Sequence, residues 1–319
     1  MSIEQIADVL RGADSVLLVA HVNPDADALG SALATAIALE SLGVPVRVTF
    51  PDDPFEVPPG LHFLPRQDLL VGPQIAQAAV VMSMDASSPD RIGRLLPIGQ
   101  AATSFIAIDH HASFIPFAGI NLCDAGQPAT GMLALDLIDA LGVDLTHDMA
   151  ICLYAAISSD TGSFRYPATT PAAMRAAARL MDTGIDFAGI AKAMFDTKSR
   201  EFIALQSAVM ADLDVRTVAG YTVAIAQVPA QAREDRGIAF TEVEALIDAV
   251  RTVADVDVAV VLKQDDNGSW RVSSRSAGVA DVGAVCTQVG GGGHRLAAGF
   301  TGSHDAEETL NRFLGALAA

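Results

Sequence analysis

The chain has 319 residues, 51% of them hydrophobic, and a formal net charge of −18 from 38 acidic and 20 basic residues. That length suits two domains of ordinary size, and the apolar content is ample for two cores and argues against disorder. The charge argues against a broad basic surface for long duplex DNA or an anionic membrane. It leaves room for a small anionic substrate, because bound divalent cations invert the local sign. Cys123, Cys152 and Cys286 stand apart with no CxxC spacing, which suits a reducing cytosol. Met1 to Gln5 lack the basic start of a signal peptide, and no run is apolar for long enough to span a bilayer. A cytoplasmic location without membrane attachment is therefore expected.

Residues 3–12 read as a short amphipathic helix. The apolar run Ser15 to Ala20 follows, with the length and β-branched content of a buried strand. It leads into His21-Val22-Asn23-Pro24-Asp25-Ala26-Asp27. Leu29, Ala32, Leu33, Ala36, Ile37 and Leu39 then recur at helical spacing. The stretch is thus a strand-to-helix turn holding one imidazole and two carboxylates. Such close carboxylates repel unless a cation lies between them, and imidazole with carboxylate oxygens suits Mn, Mg, Fe or Zn. An Asp-rich N-cap would account for Asp25 or Asp27 alone, but it has no use for His21.

Val44 to Phe50, Ala78 to Met84 and Thr103 to Ile108 read as further strands, separated by a Pro- and Asp-rich loop at Pro51 to Gly60 and by helical patterns. Gly131 to Leu141 and Asp148 to Ile157 read as helices. Strands alternating with helices predict a parallel sheet covered on both faces. Asp85 follows the third strand, Asp109-His110-His111 follows the fourth, and Asp160 ends a helical pattern. Each alone could cap a helix or close a turn. Together they repeat one arrangement, an apolar element ending in a metal-type ligand, and strand ends converge on one crevice in a parallel sheet.

Pro171 to about Asp212 reads as mainly helical, with charged Asp196 to Glu201 as an exposed connecting stretch. Beyond it the pattern changes. Val215 to Val218 and Tyr221 to Val228 flank Ala219-Gly220 as one hairpin. Val258 to Leu262 and Ser269 to Ser274 flank Asp265-Asp266-Asn267-Gly268 as another. Helices near Val243 to Val250 and Ala306 to Leu317 complete a smaller α+β domain. Gly290-Gly291-Gly292-Gly293-His294-Arg295 near the end could be a flexible loop. Its glycines would equally let backbone N–H groups approach a phosphate, with Arg275 and His294 gripping the same group.

These residues resemble a known family. His21…Asp25-Ala26-Asp27, Asp85, Asp109-His110-His111 and Asp160 are similar to the four motifs of the DHH phosphoesterase superfamily. Gly290 to Gly299 and Val272-Ser273-Ser274-Arg275-Ser276 resemble the glycine-rich and arginine motifs of the DHH-associated C-terminal domain. The surroundings Asp160 to Tyr166 and Ser88-Pro89-Asp90-Arg91-Ile92-Gly93 look like the branch of bifunctional oligoribonucleases (nanoRNases) and pAp phosphatases.

The resemblance implies a parallel-sheet N-terminal domain over 1–190, a helical connector over 191–213 and a substrate-binding α+β domain over 214–319. It implies two divalent cations, Mn²⁺ before Mg²⁺ or Co²⁺. His21, Asp25 and Asp85 would hold one, and Asp27, Asp85, His110 and Asp160 the other, with Asp85 shared. His111 would serve the phosphoryl or leaving oxygen, and Asp109 would orient a histidine. Arg275, Ser276, Gly291, Gly292, Gly293 and His294 would bind substrate. The implied substrates are very short RNA, pAp or dinucleotides, with a homodimer compatible.

Cyclic or linear dinucleotides of the c-di-AMP or pApA type are the alternative substrates. A single-strand DNA exonuclease of the RecJ type would carry extra modules. A family II inorganic pyrophosphatase would carry a Lys/Arg-rich C-terminal motif. A non-catalytic regulator would have lost a ligand or His111. One local departure is Gln127-Pro128-Ala129-Thr130-Gly131: Ala129 lacks a hydroxyl that relatives often carry, which is expected to bear on substrate fit rather than on metal binding.

Overall fold

The computed structural model describes residues 2–74 and 78–319. The chain forms two compact units, Met1–Thr197 and Lys198–Ala319.

The first unit is built on a five-stranded sheet in the order β2-β1-β3-β4-β5. Its strands are β1 (Val16–Val19), β2 (Val46–Thr49), β3 (Val80–Met84), β4 (Ser104–Asp109) and β5 (Ile120–Cys123). Every pairing is parallel, as the alternation predicts. The helices are α1 (Ile3–Arg11), α2 (Ala26–Ser41), α3 (Leu96–Ala101), α4 (Thr130–Leu141), α5 (His147–Asp160), α6 (Pro171–Met181) and α7 (Phe187–Ala191). Alternate residues of β1 face opposite ways. Val16 and Leu18 join the large core with α1, α2, α4 and α5, while Leu17 and Val19 join a smaller cluster with Val81, Ile92, Leu95 and Phe105. Two-sided burial explains why β1 and β3 read as predominantly apolar runs without polar alternation. β5 was not legible: it is an edge strand, only partly buried, with Asn121 at its centre.

α2 is buried along nearly its whole length, from Ala26 to Leu39. It packs closely on α5 at Gly30, where a Cβ would lie 2.5 Å from the Cys152 carbonyl oxygen. Gly30→Ala is therefore expected to destabilise the protein. Helix propensity favours alanine by about 1 kcal/mol, but overpacking costs about 1–3 kcal/mol, and a backbone oxygen gives way less readily than a side-chain tip. A urea melt checks this, and a midpoint at or above that of the parent would contradict it.

The second unit has a six-stranded sheet in the order β10-β11-β9-β8-β7-β6. Its strands are β6 (Asp214–Val218), β7 (Tyr221–Val228), β8 (Val258–Gln264), β9 (Trp270–Ser276), β10 (Gly292–His294) and β11 (Ala297–Thr301). β7 and β8 run parallel and the other neighbours antiparallel. Both expected hairpins form, closing at Val218↔Tyr221 and Gln264↔Trp270. The helices are α8 (Arg200–Ala211), α9 (Ala230–Glu234), α10 (Leu246–Val250), α11 (Val282–Gln288) and α12 (Ala306–Leu317). Val223, Ile225, Val260 and Val272 pack with α11 and α12 on one face. Ala224, Ala226, Ala259 and Val261 pack with α8 and α10 on the other. The helical stretch 191–213 divides between the units. Ile190 of α7 lies in the first core, whereas α8 sets Phe202, Leu205 and Val209 into the second. Among the described residues no helix is long and apolar enough to cross a membrane.

Candidate active site

The carboxyl ends of β1, β3 and β4 and the C-terminal end of α5 bring the histidines and aspartates of the first unit together. His21, Asp27, Asp85, Asp109 and His110 are all buried. Asp25 is half exposed, and Asp160 and His111 are partly exposed. Asp85 sits just past β3 with φ of 62°, in the left-handed region that aspartate tolerates better than most residues. Its amide donates to the Ile108 carbonyl at 2.9 Å, which ties the turn to β4.

Two groups result. His21 Nε2 lies 3.5 Å from Asp25 Oδ2 and 3.6 Å from Asp85 Oδ2. His110 Nε2 lies 3.2 Å from Asp160 Oδ2, 3.5 Å from Asp85 Oδ1 and 3.6 Å from Asp27 Oδ2. The two oxygens of Asp85 thus face different histidines. The groups His21–Asp25–Asp85 and Asp27–His110–Asp160 each place one donor atom per residue within 4.8 Å of the others. Asp25 also caps α2, accepting from the Ala28 amide at 3.0 Å. The capping reading and the site reading therefore hold together.

The tautomers follow from the partners. His110 Nδ1 is 3.2 Å from the Gln127 carbonyl, which can only accept, so Nδ1 carries a hydrogen and Nε2 is the nitrogen turned to the carboxylates. His111 Nδ1 is 2.8 Å from Asp109 Oδ1, so it donates there. His21 Nδ1 lies 2.9 Å from the Val22 carbonyl and 2.9 Å from Nη2 of Arg91.

Burial, and then the charges of neighbouring aspartates, push the carboxyls of Asp27 and Asp85 well above the usual range. Burial also raises Asp25, but the charge and hydrogen bond of His21 and the Ala28 amide outweigh it, and the group lies below the usual range. Burial lowers His110, yet Asp160 and Asp27 outweigh that and lift it to about 9. Imidazole nitrogen and carboxylate oxygen therefore surround points where positive charge is strongly favoured. A hard divalent cation fits this donor set, and it would let all the carboxylates ionise at once.

The start of α4 supports the aspartates. Its N-cap residue, Ala129, makes no side-chain cap bond. Instead the Thr130 amide donates to Asp27 Oδ2 at 2.7 Å and the Gly131 amide to Asp27 Oδ1 at 2.8 Å. Ser31 Oγ donates to Asp27 Oδ1 at 3.2 Å, and Thr130 Oγ1 to Asp85 Oδ1 at 2.8 Å. Next to Ala129, whose missing hydroxyl is expected to bear on substrate fit, Thr130 is bonded to the acidic cluster directly. The sequence carried no signal for this contact, which joins helices 103 residues apart. Beyond Asp160, Phe164 packs against Tyr154 with ring centroids 5.8 Å apart, on the edge of the core.

In the second unit the motif residues lie on neighbouring strands. Arg275, on β9, donates from Nη1 to the Ser274 carbonyl at 3.0 Å and is paired in register with Ala297 of β11. Ser276 Oγ accepts from the Gly278 and Ala280 amides, each at 3.1 Å, and so shapes the turn after β9. Gly292, Gly293 and His294 are not a loop but the edge strand β10. Gly293 has φ of 137°, and a Cβ there would lie 2.6 Å from the Ala297 carbonyl. Around Gly292 there is open space.

A parallel sheet whose strand ends carry paired histidine–carboxylate groups defines an α/β protein with side-chain groups that could hold hard cations. The comparisons agree on its kind. The DHH family N-terminal domain matches residues 15–157 and the DHHA1 domain residues 220–319. The bifunctional oligoribonuclease and PAP phosphatase NrnA of Thermus thermophilus is 31% identical over 300 residues, 93% of this chain and 87% of that protein. An exopolyphosphatase-related protein from Bacteroides fragilis has the same fold, with a TM-score of 0.88 at 24% identity over 99% of this chain and 95% of that one. The exonuclease RecJ of Thermus thermophilus, solved with Mn²⁺, superposes with a TM-score of 0.56 at 15% identity, over 99% of this chain and 54% of that one. The chain belongs to the DHH family and carries both its N-terminal and its DHHA1 domain.

Proposed function

We propose that the chain is a metal-dependent phosphoesterase that hydrolyses very short oligoribonucleotides and pAp-type nucleotides to mononucleotides. The observation that carries this reading is Asp85, whose two oxygens face His21 and His110 respectively. That is the arrangement a carboxylate shared by two cations requires. His21, Asp25 and Asp85 would hold one ion, and Asp27, Asp85, His110 and Asp160 the other, with Mn²⁺ preferred and Mg²⁺ or Co²⁺ compatible. Such a pair supplies an acidified water and charge neutralisation at the phosphoryl oxygens. His111, oriented by Asp109, offers Nε2 to the phosphoryl or leaving oxygen. Arg275, Ser276, Gly291, Gly292, Gly293 and His294 bind an anionic part of the nucleotide. The relative's printed activities and the net charge of −18 both favour small nucleotides over long duplexes or membranes. A cytoplasmic enzyme, with a homodimer allowed, completes the reading.

The test is turnover of pAp, RNA dinucleotides, a long single strand, and linear and cyclic dinucleotides by chelated protein and after Mn²⁺ addition. Activity is expected only with metal, and greatest on the first two substrates. Metal-independent turnover, or a preference for the long strand, would overturn the proposal. Arg275→Ala is expected to raise KM by roughly ten- to a hundred-fold, the cost of about 1.5–3 kcal/mol for a lost charged hydrogen bond, with bound metal unchanged. An equal loss on bis-p-nitrophenyl phosphate would place Arg275 in the chemical step instead.

A further inference from the structure

Thr130 is bonded to both of the histidine–carboxylate groups at once. Its amide holds Asp27 Oδ2 at 2.7 Å and its hydroxyl holds Asp85 Oδ1 at 2.8 Å, and all three residues are buried, with exposures of 1% or less. A helix start leaves its first amides without intrahelical partners, and Ala129 cannot cap them. Asp27, reaching across from α2, takes that role for the Thr130 and Gly131 amides.

The acceptor count then constrains the aspartates. A carboxylate oxygen has two lone pairs. Asp27 Oδ1 accepts from both Gly131 N and Ser31 Oγ, so both of its lone pairs are used. Oδ2 accepts only from Thr130 N and is the oxygen turned toward His110. Asp85 Oδ1 likewise accepts one bond, from the Thr130 hydroxyl, and keeps a lone pair on the His110 side. Asp85 Oδ2 faces His21.

We propose that Thr130 is a positioning residue that fixes the facing oxygens of Asp27 and Asp85 together and so couples the two cation groups. The inference rests on the metal reading above and adds a residue and a consequence to it. Removing the hydroxyl frees Asp85 to rotate, and because one oxygen of Asp85 faces the histidine of each group, affinity at both falls together. Ser31 touches Asp27 alone, so Ser31→Ala weakens the His110 group and leaves the His21 group intact.

The experiment is a Mn²⁺ titration of the chelated full-length chain, with free Mn²⁺ read by electron paramagnetic resonance. Two bound ions are expected in the parent. Thr130→Ala is expected to weaken both by roughly ten- to a hundred-fold, the usual effect of removing a hydrogen-bonding partner from a metal ligand. Thr130→Ser, which keeps the hydroxyl, is expected to restore both. Thr130→Val, close to isosteric, carries the same comparison if the alanine variant does not fold, as judged by its metal-free urea melt. Parent-like affinities in the alanine or valine variant, or equal losses in the serine variant, would overturn the role of the hydroxyl. A parent chain that binds no Mn²⁺ would instead overturn the metal reading on which the inference stands.

Discussion

Asp85→Ala is expected to abolish hydrolysis of every substrate while the chain stays folded. Loss of a partner that merely orients a metal ligand costs about 10–100-fold. Asp85 stands one step closer, with an oxygen on each of the two groups, so its removal is expected to cost more than that whichever cation is supplied. The direction of the stability effect is separable. Burial and the neighbouring aspartates hold the Asp85 carboxyl well above the usual range when no cation is bound. A carboxyl whose pKa is raised in the folded state contributes its stability in full below its ordinary pKa, and that contribution is lost as pH rises through the folded-state value. The metal-free variant is therefore expected to match or exceed the metal-free parent in a urea melt near pH 8, while binding less Mn²⁺. A variant that retains turnover, or one that loses activity with its metal content intact, would remove Asp85 from the shared position.

The same position shows what the sequence could reveal. An apolar strand followed by a histidine or aspartate is local information, and the gathering of His21, Asp85, Asp109 and His110 at one end of the sheet could be read from it because each ends a strand buried on both faces. The parallel sheet followed from the same runs. Three features were not local. β5 is short and half exposed, with Asn121 breaking its apolar pattern. β10 begins with two glycines of a glycine run whose reading as a loop is natural until β11 is seen against it; Gly291 and Gly293 are required because a Cβ would meet Gly299 or Ala297 backbone. Thr130 reaches Asp27 and Asp85 only because α4 starts where α2 and the end of β3 converge. No spacing along the chain encodes that meeting. It is set by the packing of α2 against α4 and α5, in which Leu29, Leu33, Met132, Cys152 and Ala156 take part.

His111→Ala is expected to separate chemistry from metal binding. Asp109 is fully buried and accepts from His111 Nδ1 at 2.8 Å, which fixes the ring and assigns proton exchange to Nε2. In the proposed reaction the alkoxide leaving from a ribose carries a high proton affinity, so a proton donor at that oxygen lowers the barrier. General acid catalysis of this kind is worth about 10²–10⁴-fold, and kcat on RNA dinucleotides is expected to fall by that factor. His111 is not among the residues assigned to either cation, so the Mn²⁺ titration is expected to match the parent. A p-nitrophenyl ester has a leaving group that departs without protonation, and its hydrolysis is expected to suffer far less. Asp109→Asn tests the orientation separately. An asparagine nitrogen facing Nδ1 would favour the opposite tautomer, with the hydrogen on Nε2 and Nδ1 as acceptor, so the ring loses the orientation that Asp109 gives it and kcat on the dinucleotide is expected to fall. Equal losses on both leaving groups would move His111 from proton donor to phosphoryl-oxygen contact, and an unchanged kcat on the dinucleotide would remove it from the reaction.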